Sequence, residues 1–297
     1  MILTTIRGTQ GWMPAVVLGV LLALAGCAAE EDTAREVRAG QIEEVPATAV
    51  SDIHQVEIGL PIGVLTVKFN AGQKEASTSS GALAPGEGVT LVGVAWSFEA
   101  NRSSEGRDVL LNGESSESLP KPTVSLLDGQ EALALPADLP SGWDKGLIVG
   151  ATDPSAFQVT YDGLIQSVDL RTGAVEDGMG DGLKDLDAVS TILDKRCPAD
   201  AFVPRAAALD HGCGVRAVHV LPYLADLGWA PDNQTWIVVD ASIEGEGTMR
   251  VGQDTGTQLE NPSADVHRVA FAAPKLPRDV TFDFGPSIST IAVGLSG

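Results

Sequence analysis

Residues 89–98 read VTLVGVAWSF. In an extended chain successive side chains point to opposite faces, so Val92, Val94, Trp96 and Phe98 share one face. Leu91, Gly93, Ala95 and Ser97 share the other. Both faces are largely apolar, the pattern of a strand held between two packed layers.

The same pattern extends along the chain in both directions. Residues 64–69 (VLTVKF) place Leu65, Val67 and Phe69 on one face. Residues 124–127 and 132–135 flank Asp128-Gly129. Residues 157–161 and 164–170 flank Asp162-Gly163. Asp-Gly between two apolar runs is a hairpin signal, because both turn positions tolerate positive φ. Strands are also expected at 214–223 (GVRAVHVLPY), 235–243 (TWIVVDASI), 266–271 and 280–284. Residues 101–119 are rich in Ser, Gly and Glu and read as a loop. One helix is expected over residues 181–195, where Leu183, Leu186, Val189 and Leu193 recur at helical spacing and Pro198 follows. The fold class is therefore mainly β.

Residues 56–61 (VEIGLP) and 217–222 (AVHVLP) each precede a Trp-bearing strand, 89–98 and 235–243. This suggests two related β-sandwich-like domains, with the helix near their boundary. The expected organisation is residues 1–26 as a signal, 27–50 as an acidic tether, 51–180 as a first β-domain, and 181–297 as the helix and second β-domain.

The amino terminus carries Arg7 and no acid before an apolar run at 13–25 (MPAVVLGVLLALA). That run is shorter than the roughly 20 residues of a membrane-spanning helix and fits an export signal. It ends in Leu24-Ala25-Gly26-Cys27, which resembles the lipobox of bacterial lipoproteins. The resemblance implies cleavage before Cys27 and lipid attachment to its sulfur. It places the protein at the cell membrane, on its extracytoplasmic side. Two or more acyl chains anchor durably, at about 0.8 kcal/mol per buried CH₂. The strand lengths and turns also resemble immunoglobulin-like β-sandwich modules of actinobacterial surface lipoproteins. That resemblance implies a binding or assembly role.

After Gly26 the chain holds 18 Lys and Arg against 40 Asp and Glu, a formal charge of −22. So acidic a surface argues against nucleic acid, which needs a basic footprint, and against lying flat on anionic lipid. Cys197 and Cys213 remain as an even pair enclosing a short loop, and outside the cytoplasm such a pair forms a disulfide.

No Gly-x-Ser-x-Gly elbow, phosphate loop, dinucleotide fingerprint or Cys-x-x-Cys pair is present. Of four histidines, His219 and His267 fall in expected strands, whereas His54 and His211 neighbour Asp52 and Asp210 near loops. The acidic run 176–187 (EDGMGDGLKDLD) fits an EF-hand at Asp177, Asp181 and Gly182. Met179 and Ala188 stand where ligands are required, so the match fails and only a looser calcium site stays open. Trp143 and Trp229 lie in loops and are the candidates for ligand contact, while Trp96 and Trp236 fall in core strands. No catalytic residue, metal or cofactor is assigned. The expected function is a non-enzymatic envelope lipoprotein presenting β-domains to a protein or wall polymer. The alternatives are a wall-directed hydrolase with a metal or His/Asp site, and a carbohydrate-binding module using the loop tryptophans.

Overall fold

The computed structural model describes residues 34–297 apart from 52–53, 80, 101–104, 115–117, 137–141, 177, 185, 187–189, 206–211, 245–246, 285–289 and 296–297. The segment expected to be a signal, residues 1–26, and Cys27 lie outside the described residues. Ala34–Gly297 forms one compact unit.

Its first part comprises β1 (Arg35–Val37), β2 (Ile42–Pro46), β3 (His54–Leu60), β4 (Gly63–Gln73), β5 (Ala76–Thr78), β6 (Gly81–Pro85), β7 (Thr90–Ala100) and the helix α1 (Glu105–Leu111). Then follow β8 (Thr123–Asp128), β9 (Glu131–Leu135), β10 (Lys145–Ala151), β11 (Pro154–Tyr161), β12 (Leu164–Asp169) and β13 (Val175–Glu176). The remainder holds β14 (Ser190–Arg196), β15 (Gly212–Leu221), β16 (Tyr223–Leu224), β17 (Gly228–Trp229), β18 (Thr235–Glu244), β19 (Thr248–Arg250), β20 (Thr257–Gln258), β21 (His267–Ala273), β22 (Asp279–Asp283) and β23 (Ile291–Gly294). The chain is mainly β, as expected.

The strands stack as layers. A five-stranded sheet, β2-β10-β7-β4-β3, lies centrally in the first part. Strand β7 is the 89–98 segment, and its two faces are used as read. Leu91 and Ala95 pack with Val37, Ala76, Leu83 and Ile148 under the small sheet β1-β6-β5. Val92, Val94 and Trp96 pack on the opposite side with Phe157, Val159 and Leu126 of the sheet β13-β12-β11-β8-β9. Both expected hairpins form, β8 with β9 and β11 with β12, the first turning on Gly129-Gln130 with Asp128 paired to Glu131 and the second on Asp162-Gly163. Asp162 and Gly163 adopt φ of 45° and 83°, the left-handed pair that such a two-residue turn needs.

The third large sheet is β14-β15-β18-β21-β20. One face gives Val218, Val239 and Phe271 to a second core, closed by Phe282 and Ile291 of the sheet β19-β22-β23. The other face gives Leu221, Val238 and Ala270 to the first core, beside Phe69 and Phe157. The largest core therefore draws on residues from both sides of position 180.

Four expectations change. The helix over 181–195 is replaced by a 3₁₀ turn at Gly178–Leu183 and by strand β14. Leu183 and Leu186 are buried, whereas Ile192 is 73% exposed, so the apolar residues serve two different elements. Pairing of β14 with β15 overrides a weak local period. The loop at 101–119 contains α1, whose Val109, Leu110 and Leu111 are buried in the first core. The tether over 27–50 enters the fold by Arg35. Val37 and Val45 are buried, while Glu43 and Glu44 meet Arg35 and Lys145 at the surface. The repeat is not reproduced in the pairing: β15 pairs directly with β18, but β4 separates β3 from β7.

Candidate functional site

The most organised polar group crosses four adjacent strands of the third sheet. Register places Ser190 opposite His219, His219 opposite Val238, and Asp240 opposite Arg268. Paired residues share a face, and so do residues two apart on one strand. Ser190, His219, Asp240 and Arg268 therefore project together toward the first core.

The contacts run in that order. Ser190 Oγ lies 2.7 Å from His219 Nδ1. His219 Nε2 lies 3.6 Å from Asp240 Oδ2, just beyond hydrogen-bond length, and has no hydrogen-bond partner among the described residues. Arg268 donates to both Asp240 oxygens, from Nε at 2.8 Å and from Nη2 at 2.7 Å. His219 is fully buried, Asp240 and Arg268 are 6% and 8% exposed, and Ser190 is half-buried on β14 at the sheet edge.

Burial pushes the Asp240 carboxyl up, but the hydrogen bonds and charge of Arg268, with His219 beside it, outweigh this and hold it below the usual carboxylate range. Asp240 is thus an anion, as a buried acid can be only when a cation is fixed beside it.

On the same edge a cleft of 980 Å³ opens beside the disulfide. It is lined by Ile192, Lys195, Arg196 and Arg216 and by Asp194, Glu244 and Asp265. Both signs of charge meet there in a chain that is otherwise strongly acidic. Its size lies at the upper end of small-molecule sites. A bulge in the β14–β15 pairing between Ile192 and Lys195, with Asp194 at φ 44°, turns the edge at this point.

The expected site residues separate. Cys197 and Cys213 are joined, with their Cα atoms 5.2 Å apart. Trp143 is 36% exposed, and Lys68 Nζ sits 4.6 Å from its ring centre. Trp229 is packed instead. Its indole N–H donates to the Tyr161 carbonyl at 3.0 Å, and its ring meets the edge of Tyr223 at 5.1 Å. Desolvation, reinforced by Asp162, pushes the Tyr223 hydroxyl up to about 12. His54 stacks on Phe69 in the first part, and His267 lies half-buried in β21. His211 and Asp210 lie outside the described residues. Among the described residues, no three His, Cys, Asp or Glu are grouped as a metal would require.

No protein-family model, curated protein or solved structure matches the chain.

Ser190, Asp240 and Arg268 escape a reading of the sequence alone. Ser190 falls inside the expected helix, and Arg268 has no marked neighbours. The one signal is Asp240 itself, an acid within the apolar strand TWIVVDASI. An acid on a buried face demands a partner.

Proposed function

We propose that the chain is a bacterial envelope lipoprotein, anchored through Cys27, whose β-sheet body binds an envelope protein or wall polymer. The cleft beside β14 is the observation that carries the binding reading. It combines volume, charges of both signs and the exposed apolar side chain of Ile192. Leu24-Ala25-Gly26-Cys27 and the −22 charge that follows support a body held outside the membrane. Among the described residues no helix is long and apolar enough to cross a membrane.

Two measurements test this. Metabolic labelling with palmitate should mark the wild-type protein and leave Cys27→Ser unlabelled. Crosslinked envelopes should yield a specific partner with the wild-type chain and lose it with Arg196→Glu/Arg216→Glu. Equal recovery by the charge-reversed chain would remove the cleft from the proposal. Trp143 offers a second contact for sugar, because its ring is exposed. Its fluorescence should shift when wall fragments are added if that surface is used.

A further inference from the structure

We propose that Ser190 is an activated nucleophile, with His219 as its general base, that accepts acyl groups from neutral carboxylic esters. This goes beyond the binding role and rests on the Ser190–His219 pair, sharing only Ile192 with the cleft.

Asp240 is an anion that can only accept, so the nearer imidazole nitrogen, Nε2, faces it with its proton. Nδ1 is then left with a lone pair and accepts from the Ser190 hydroxyl at 2.7 Å. A serine O–H aimed at an imidazole lone pair, with a carboxylate behind the ring, is the arrangement that activates serine in acyl transfer. Here Nδ1 faces the serine and Nε2 faces the acid.

The 3.6 Å gap between Nε2 and Asp240 fits this role. The neutral ring gains little from closing it. Once the ring takes the serine proton it becomes a cation, and Asp240 attracts it. That contact strengthens as the reaction proceeds, which is the kind of interaction that lowers a barrier. Asp240 and Arg268 are positioning residues: Arg268 fixes both carboxylate oxygens and keeps the acid ionised.

Access follows from topology. The row runs from Arg268 in the sheet interior to Ser190 on β14, the edge strand. Ile192 shares the face of Ser190 two residues on and is 73% exposed, an apolar contact for an acyl group. Of two successive amides in an edge strand, one points outward. One of the Ser190 and Thr191 N–H groups therefore points away from β15, off the edge of the sheet. The acidic surface disfavours anionic esters and leaves neutral ones.

In the step itself, Ser190 Oγ bonds to the ester carbonyl carbon and its proton passes to His219 Nδ1. The carbon–oxygen bond to the alcohol then breaks, and the departing oxygen takes that proton. Water, deprotonated by the same nitrogen, releases the acid and restores Ser190.

The test uses the full lipidated chain in detergent with an alkyl fluorophosphonate, which phosphonylates activated serines with loss of fluoride. One adduct, mapped to Ser190 by peptide mass, is expected. Ser190→Ala should show none, and His219→Gln should label about 100-fold more slowly. Labelling should quicken as pH rises in the wild type, with the rise lost in His219→Gln, while Asp240→Asn, which keeps the base and removes the anion beside it, should label more slowly with its rise displaced to lower pH. A purely structural serine–histidine bond would give none of these signals. Wild-type protein without an adduct at Ser190, while a control serine hydrolase in the same tube labels fully, overturns the proposal even if every variant fails to fold. An adduct confined to another residue overturns it equally.

Discussion

Replacing Arg268 by Met keeps most of the side-chain volume and removes both hydrogen bonds to Asp240. Asp240 is only 6% exposed, so water cannot replace the guanidinium. Breaking a buried pair from one side costs about 3–5 kcal/mol. The cost has a ceiling, because Asp240 can escape by taking a proton. From an ordinary carboxyl pKa of about 3.9, protonation at pH 7 costs about 4 kcal/mol, and at pH 5 about 1.5 kcal/mol. Arg268→Met should therefore lose about 4 kcal/mol at pH 7 and well under half of that at pH 5. Asp240→Leu/Arg268→Met removes both charges and should lie within about 1 kcal/mol of the wild type. Equilibrium urea unfolding at both pH values, with unchanged slopes, reads these differences. A loss below about 1 kcal/mol at pH 7, or a loss that does not change with pH, would show that the pair is not a buried, desolvated one.

Further outcomes are expected on the same footing. Cys197→Ser/Cys213→Ser opens a loop of sequence separation 16 and should cost about 3 kcal/mol, read as a lower urea midpoint that dithiothreitol no longer changes. The depressed Asp240 carboxyl contributes stability that is present above its unfolded pKa, near 3.9, and lost as pH falls through its lower folded value. Acid unfolding below about pH 4 should thus carry one proton uptake that Asp240→Leu/Arg268→Met lacks. Trp229→Phe removes the indole donor to the Tyr161 carbonyl and should cost about 1 kcal/mol, whereas Trp143→Ala, at an exposed site, should stay within about 0.5 kcal/mol in the same thermal melt.

Strand β7 was fully legible because its ten-residue alternation satisfies two cores at once, and either face alone would have located it. The hairpins marked by Asp128-Gly129 and Asp162-Gly163 were legible because their backbone requirement is local. Strand β14 was hidden. Its exposed Ile192 and half-buried Leu193 carry no clean period, and its conformation is imposed by β15. The helix α1 was hidden by polar surroundings, with only Val109, Leu110 and Leu111 marking its buried side. Strands β1 and β2 were hidden by their acids, which sit at the surface while single valines reach the core.

The sequence alone carried the β character of the chain, its negative charge, the cysteine pair and the resemblance of residues 24–27 to a lipobox, on which the proposed anchor at Cys27 rests. Each is written in contiguous residues or in simple counts. Only the tertiary structure decided that Ser190, His219, Asp240 and Arg268 stand in one row, though 78 residues separate the first from the last. Sheet order and register bring them together, and both are set by which apolar faces can be buried at once, a condition on the whole chain that no short stretch records.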